Sequence, residues 1–303
     1  MKNILIVGTG GVGGSIAGFL ALDGHNVTCI ARGEHLQSIL DNGLHLKSDL
    51  KGEHFLNVKA CTTEEYNDKA DIIFVCVKGY SLDDSIKSVI EKAAKEDTLV
   101  VPILNVYGTG TKISNMVPEV TVLDGCIYIV GFVSGKGEIT QMGKIFRLVF
   151  GARKEAPVEM SRLEEIQSML VHAGIKADLS DDINRDTFVK WAFISAMACT
   201  GAYHEVTMGA LQHEGEERDT FIGLSRESAQ IAEKCGIIFK EDPIKYNLMV
   251  IDKLDPESTA SMQKDIEKGH QSEIKGLLFD MIELGEKYDI DMPTYRKVVK
   301  KFS

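Results

Sequence analysis

Residues 4–14, Ile4-Leu5-Ile6-Val7-Gly8-Thr9-Gly10-Gly11-Val12-Gly13-Gly14, decide the fold. Four apolar residues predict a buried strand, the glycines interrupt it, and Ser15 to Leu22 continues as an apolar run at helical spacing. Strand, glycine-rich turn and helix in that order are the context of the G-x-G-x-x-G dinucleotide fingerprint. Gly8 allows the tight turn, Gly10 leaves the backbone open to a pyrophosphate, and Gly13 lets the helix pack close to the strand. Thr9, Gly11 and Val12 complete the loop, and the first N–H groups of the helix offer partial positive charge to phosphates. The alternative is a glycine-rich turn in a parallel-sheet protein that binds no ligand.

The next strand, Asn26 to Ile30, ends in Ala31-Arg32-Gly33. An NAD site usually carries Asp or Glu there to hold the ribose 2′-hydroxyl. Arg32 cannot accept that hydrogen bond, but its planar fork suits a 2′-phosphate and can lie on the adenine. Glu34 is read as opening the following helix, where a carboxylate suits the N-terminal dipole. The expected cofactor is therefore NADPH, the alternative being that Arg32 is an ordinary surface charge.

At 303 residues the chain accommodates two domains, each with its own core. A formal net charge of -11 argues against nucleic acid or an anionic membrane as partner, since both select clustered Lys and Arg. Met1-Lys2-Asn3 runs directly into a strand without a cleavable apolar segment, so the expected location is the cytoplasm. Trp191 to Ala202 is too short to span a bilayer and reads as a buried helix. Cys29, Cys61, Cys76, Cys126, Cys199 and Cys235 form no CxxC or Cys/His cluster, so reduced thiols and no metal site are expected.

Strand and helix signals alternate through the first half, with weak strands at Leu44-Leu46 and Phe55-Val58 and strong ones at Asp71 to Val77 and Thr98 to Leu104. Ser81 to Lys92 reads as a helix capped by Ser81. A strand-rich stretch follows from Thr121 to Phe150, with Ser134-Gly135-Lys136-Gly137 as a hairpin turn. Beyond about residue 180 only helical patterns remain. The fold class is thus α/β: an N-terminal Rossmann-type doubly wound sheet, residues 1–180, with added antiparallel strands, and a second, all-α C-terminal domain, residues 181–303.

Lys78 and Asn105 follow buried strands, at the carboxyl ends where open α/β sheets bind ligands. Lys190 lies in an apolar helix beside Trp191, while Ser258, Ser261, Asp265 and Glu273 read as one face of a later helix. Taken together, this ordered set resembles the ketopantoate reductase (2-dehydropantoate 2-reductase) family over essentially the whole chain. That family combines a GxGxxG loop, an Arg after the second strand, a Lys and an Asn after the fourth and fifth, a catalytic Lys in the helical domain, and a Ser and Glu twelve residues apart. Ser261 and Glu273 have that spacing.

The resemblance implies NADPH-dependent reduction of a 2-oxo acid, with ketopantoate to pantoate, a step of pantothenate and coenzyme A synthesis, as the expected reaction. Lys190 would protonate the developing alkoxide, and Glu273 would bind a substrate hydroxyl and position Lys190. Asn105 and Ser261 would orient the substrate, and Lys78 and Asn105 would lie by the cofactor. Each has a plainer alternative: a solvated Lys190 or Glu273, a turn-forming Asn105, a surface Ser261, a strand-ending Lys78. Two departures bear on substrate choice. Where founding members carry Asn four and eight residues after the catalytic Lys, this chain has Ile194 and Ala198, and Val106 follows Asn105 in place of Gly. A more apolar wall favours a bulkier or more hydrophobic 2-oxo acid. A homodimer through the apolar helices is a further expectation, and a non-catalytic NADPH sensor is the alternative from another class.

Overall fold

The computed structural model describes residues 1–302. Two compact units emerge: Met1–Leu104 with Gly108–Ile183, and Asn105–Tyr107 with the chain from Asn184 onward.

The first unit comprises β1 (Asn3–Val7), α1 (Gly11–Leu22), β2 (Asn26–Ile30), α2 (Gly33–Asn42), β3 (Leu44–Ser48), β4 (Gly52–Leu56), β5 (Lys59–Cys61) and β6 (Ile72–Val75). It continues with α3 (Asp84–Ala93), β7 (Leu99–Pro102), α4 (Thr109–Met116), β8 (Thr121–Val122), β9 (Asp124–Gly135), β10 (Glu138–Gly151), α5 (Met160–His172) and β11 (Lys176–Leu179). Six strands form a parallel sheet in the order β5-β2-β1-β6-β7-β8. Period-two alternation sends Ile4, Ile6 and Phe74 into one core, with Ile16 and Phe19 of α1, and Leu5, Val7 and Ile73 into another, with Ile86 and Val89 of α3. Both faces are buried, which is why these strands read as continuous apolar runs. The order reverses between β1 and β6, so their carboxyl ends frame the crevice where doubly wound sheets bind ligands.

The antiparallel strands do not extend this sheet. They belong to a second, mixed sheet, β11-β10-β3-β4, in which β9 pairs antiparallel with β10 and β4 with β3, while β10 runs parallel to β3 and β11. Helix α1 lies between the two sheets: a Cβ on Gly14 would strike Ile139 of β10, and one on Gly18 would strike Leu46 of β3. Those glycines serve the second sheet, and eight consecutive residues of α1, Gly13 to Leu20, are buried. Helix α3 starts later than Ser81. Its cap is Asp83, whose Oδ1 accepts from Ser85 N at 3.0 Å and Ile86 N at 3.3 Å, while Ser81 ends a short 3-10 turn, Gly79–Ser81. Asp83 directly precedes the first helical residue, Asp84, where a side-chain oxygen reaches the free N–H groups of the first turn.

Asp124 caps α4 from outside the helix, its Oδ1 accepting from Gly110 N at 2.9 Å. Burial pushes its carboxyl up to about 6, although Gly110 N–H and the nearby Arg153 favour the anion. A folded-state value above the ordinary 3.8 means that this group's contribution to stability is complete below about 3.8 and is lost as pH rises through 6. The loss amounts to at most about 3 kcal/mol. Asp124→Asn keeps an oxygen for Gly110 and removes the buried charge. Its melting temperature should exceed the parent's at pH 8, with the difference closing toward pH 4, as followed by circular dichroism.

The second unit is built on α6 (Ile183–His204), of which Ile183 itself belongs to the first unit, followed by α7 (Met208–Leu211), α8 (Glu216–Lys234), α9 (Pro243–Ile251) and α10 (Ser261–Glu267). A π-helical segment, Lys275–Phe279, then leads into α11 (Asp280–Lys287), and α12 (Pro293–Val299) completes the unit. Phe188, Trp191, Ala196, Phe221, Leu278 and Tyr295 are among the side chains of its core. Tyr203 and His204 form the last turn of α6. No described helix is long and apolar enough to cross a membrane.

The expected helix through Ser258, Ser261, Asp265 and Glu273 is broken in two. Helix α10 starts at Ser261 and closes with His270 N to Asp265 O and Gly269 N to Ile266 O, with Gly269 at φ +66°. This is a Schellman stop, which a left-handed glycine permits. Ser258 precedes α10, and Glu273 lies beyond the break, just before the π segment.

Candidate active site

In the first unit the glycine loop joins β1 to α1. Gly8 sits at φ +99°, and a Cβ there would lie 2.8 Å from the Val77 side chain, so the turn lies against the chain leaving β6. A Cβ on Gly13 would meet Gly8 O at 2.1 Å, the close approach of helix to loop that the motif requires. Gly10 differs: nothing lies within 4 Å of where its Cβ would stand, and it precedes α1 with extended backbone and no side-chain cap. An open, uncapped helix N-terminus with an unobstructed backbone is a fit for a pyrophosphate. Thr9 is buried and pinned to β2, with both N (3.1 Å) and Oγ1 (2.9 Å) donating to Ile30 O. Gly11 meets β9 backbone to backbone, its missing Cβ lying 2.2 Å from Gly131 O, and Val12 packs on the core.

Arg32 occupies the position before α2, exposed and in extended conformation, within electrostatic reach of Asp83. Glu34 falls in the first turn of α2 and accepts from Lys136 Nζ at 2.9 Å. Lys78, half-buried, follows β6 and opens the 3-10 turn.

The helical unit brings two expected residues into direct contact. Lys190 is only 6% exposed, and its Nζ donates to Asn105 Oδ1 at 2.8 Å, across 85 positions of sequence. The adjoining Tyr107 ring stacks on Trp191 at 5.4 Å between centroids, and Phe188 meets both rings edge-on. Trp191 Nε1 donates to Gly276 O at 2.8 Å, while Val106 lies 2.6 Å from where a Gly276 Cβ would be. Ser195, one turn beyond Trp191, donates to Leu277 O and also bonds Tyr295 OH at 2.8 Å. The α6 face that follows Lys190 is therefore clamped to the π segment that follows Glu273. Glu273 is 4% exposed. Such π segments displace the register of a helix by one residue and recur at functional sites.

Ser261 is exposed at the first position of α10. Ile194 is half-buried, whereas Ala198 is wholly buried in the helical core. Sequence reasoning missed the Lys190–Asn105 bond, the Tyr107–Trp191 stack and the π segment. Val106 beside Gly276 was the available signal, since a β-branched residue after Asn105 needs a small partner. All six cysteines are free thiols, and no group of three or more His, Cys, Asp or Glu among the described residues could hold a metal.

Comparison with known proteins follows the same division. Residues 4–155 match the family model described as "Ketopantoate reductase PanE/ApbA", and residues 182–302 match "Ketopantoate reductase PanE/ApbA C terminal". A 2-dehydropantoate 2-reductase of Pyrococcus horikoshii is 28% identical over 297 residues, covering 96% of this chain and 93% of that protein. In fold, the chain is similar to the 2-dehydropantoate 2-reductase of Methylococcus capsulatus, with TM-score 0.87, 21% identity, and 99% and 95% of the two chains covered. It is equally similar to a D-mandelate dehydrogenase solved with NADH and anilino(oxo)acetate, with TM-score 0.87, 21% identity, and 98% and 96% covered.

Proposed function

The chain belongs to the ketopantoate reductase family, whose named relatives are oxidoreductases, and we propose that it reduces a 2-oxo acid to the 2-hydroxy acid with NADPH. Conversion of 2-dehydropantoate to pantoate is the reaction that fits best. The observation that carries this reading is the buried Lys190 Nζ held on Asn105 Oδ1.

When bound, the reduced nicotinamide supplies a hydride to the carbonyl carbon. Gly8, Thr9, Gly10, Gly11, Val12 and Gly13 would hold the pyrophosphate on the loop and helix N-terminus, Arg32 would take the 2′-phosphate, and Lys78 and Asn105 would serve the nicotinamide side. Negative charge builds on the carbonyl oxygen as hydride arrives. Lys190 Nζ stabilises that charge and delivers the proton, completing the alcohol. Asn105 orients the ammonium through its amide oxygen and offers its amide hydrogens to the substrate. Glu273 accepts from a substrate hydroxyl, and Ser261 receives the carboxylate end. Burial of Lys190 strengthens each of these interactions by excluding water.

The test is NADPH oxidation by the purified protein against ketopantoate and a panel of 2-oxo acids, read at the nicotinamide absorbance. Turnover of ketopantoate supports the proposal. NADPH binding without turnover of any panel member supports a redox sensor instead. A second reading within the enzyme class rests on the half-buried Ile194, where founding members carry Asn. It favours a bulkier, more apolar 2-oxo acid, and the aromatic ligand of the D-mandelate dehydrogenase makes aryl-substituted 2-oxo acids the natural first additions.

Arg32 decides between the nicotinamide cofactors. A charge-assisted contact of this kind contributes about 1.5–3 kcal/mol, so Arg32→Ala should weaken NADPH about 10- to 100-fold and leave NADH nearly unchanged. Dissociation constants from nicotinamide fluorescence check this. An unchanged NADPH affinity would remove Arg32 from the site.

A further inference from the structure

His35, in the first turn of α2, joins three pieces of the first unit. Its Nδ1 accepts from the backbone N–H of Gly137 at 3.0 Å, in the turn between β9 and β10. Because that partner can only donate, Nδ1 carries no proton, and the ring hydrogen sits on Nε2. Nε2 in turn lies 2.9 Å from Thr9 O and donates to it, in the middle of the glycine loop. The same turn is held to α2 twice more, by Ser38 Oγ donating to Lys136 O at 2.9 Å and by the Lys136–Glu34 pair. From the other side, the β9 backbone at Gly131 and Phe132 supports Gly11. Thr9, already bonded twice to Ile30, therefore has its carbonyl oriented by a ring whose other nitrogen is anchored to the hairpin.

We propose that His35 is a positioning residue for the dinucleotide, holding the Thr9 peptide so that the N–H groups at the start of α1 stay aimed at the pyrophosphate, and doing so only while its ring is neutral. This rests on the dinucleotide reading of the glycine loop. A second proton would have to go on Nδ1, where it would face the N–H of Gly137 and break that bond. Burial already holds the ring below the ordinary imidazole value of 6.5. The ionisable side chains on the elements around the ring are Arg32, just before α2, Glu34 of α2, Lys136 and Glu138 of the hairpin, and His45 and Lys47 of β3; the glycine loop carries none. Two pairs offset each other, Glu34 with Lys136 and Glu138 with Lys47 of β3.

ADP-ribose is the suitable probe, because it has the pyrophosphate but neither the 2′-phosphate, which titrates in the same range, nor the redox ring. Calorimetric dissociation constants would be measured at several pH values from 5 to 7.5. The parent protein should bind about three- to tenfold more weakly at pH 5 than at pH 7.5. His35→Ala should bind about tenfold more weakly at pH 7.5, the cost of one to two hydrogen bonds. His35→Gln, whose amide N–H can still reach Thr9 O, should stay within about threefold of the parent at pH 7.5 and show a flat profile. If His35→Ala fails to fold, the parent and His35→Gln profiles still decide. Superimposable profiles, or His35→Ala binding like the parent, overturn the role of His35 while leaving the cofactor reading intact. A parent that binds neither ADP-ribose nor NADPH overturns the cofactor reading and this inference with it.

Discussion

Lys190→Ala should lower kcat by about a thousandfold, the range of a lost general acid and charge stabiliser, equivalent to about 4 kcal/mol of transition-state stabilisation. The NADPH dissociation constant should change far less than kcat, because the pyrophosphate and 2′-phosphate contacts proposed for the glycine loop and Arg32 do not use the Lys190 ammonium. Removing Nζ also strips Asn105 Oδ1 of its donor, so KM should rise as the amide loses its orientation. Lys190→Arg should not restore the rate: a planar fork in place of a compact ammonium cannot reproduce a single bond to Asn105, and a guanidinium does not release its proton. Single-turnover hydride transfer, followed by nicotinamide absorbance, separates the chemical step from product release. A variant retaining a tenth or more of the parental rate would exclude Lys190 as the proton donor.

The glycine loop yields the second large effect, because two of its glycines answer to different demands. Gly13→Ala places a methyl 2.1 Å from Gly8 O, and backbone on both sides cannot yield without moving α1 off β1. A loss of about 3 kcal/mol of stability is expected, at the upper end of overpacking, with a matching fall in the urea midpoint. Gly10→Ala meets nothing within 4 Å and should melt like the parent. Its methyl nevertheless occupies the open side of the helix N-terminus, so NADPH binding should weaken by at least about tenfold. A stable Gly10→Ala with full affinity would mean that the open space is not where the pyrophosphate lies.

Much of the first unit is written locally. The run Ile4-Leu5-Ile6-Val7, the glycines after it and the apolar helix behind them each satisfy a requirement that involves near neighbours, so strand, turn and helix appear where the pattern places them. Glu34 likewise opens α2, as its place after Arg32 indicated. The sheet boundary was less legible. Leu44, Leu46 and Ile139 carry ordinary strand signals, and nothing in those signals says which sheet a strand joins. Burial against the far side of α1 decides it. The helix expected through Ser261 and Glu273 fails for a different reason: spacing by threes and fours continues across Gly269, but the Schellman stop there outweighs it.

What the sequence by itself determined is a dinucleotide loop, its parallel sheet, a helical C-terminal half and a set of polar residues whose order resembles one reductase family. These follow from periodicity, turn chemistry and spacing, which act over a few residues at a time. The tertiary structure alone decided that Asn105 and Lys190 bond across 85 positions, that Trp191 and Ser195 grip the π segment beyond Glu273, and that His35 ties the glycine loop to a hairpin 102 residues away. Such pairings depend on which surfaces the packed cores bring together, and no local propensity records that.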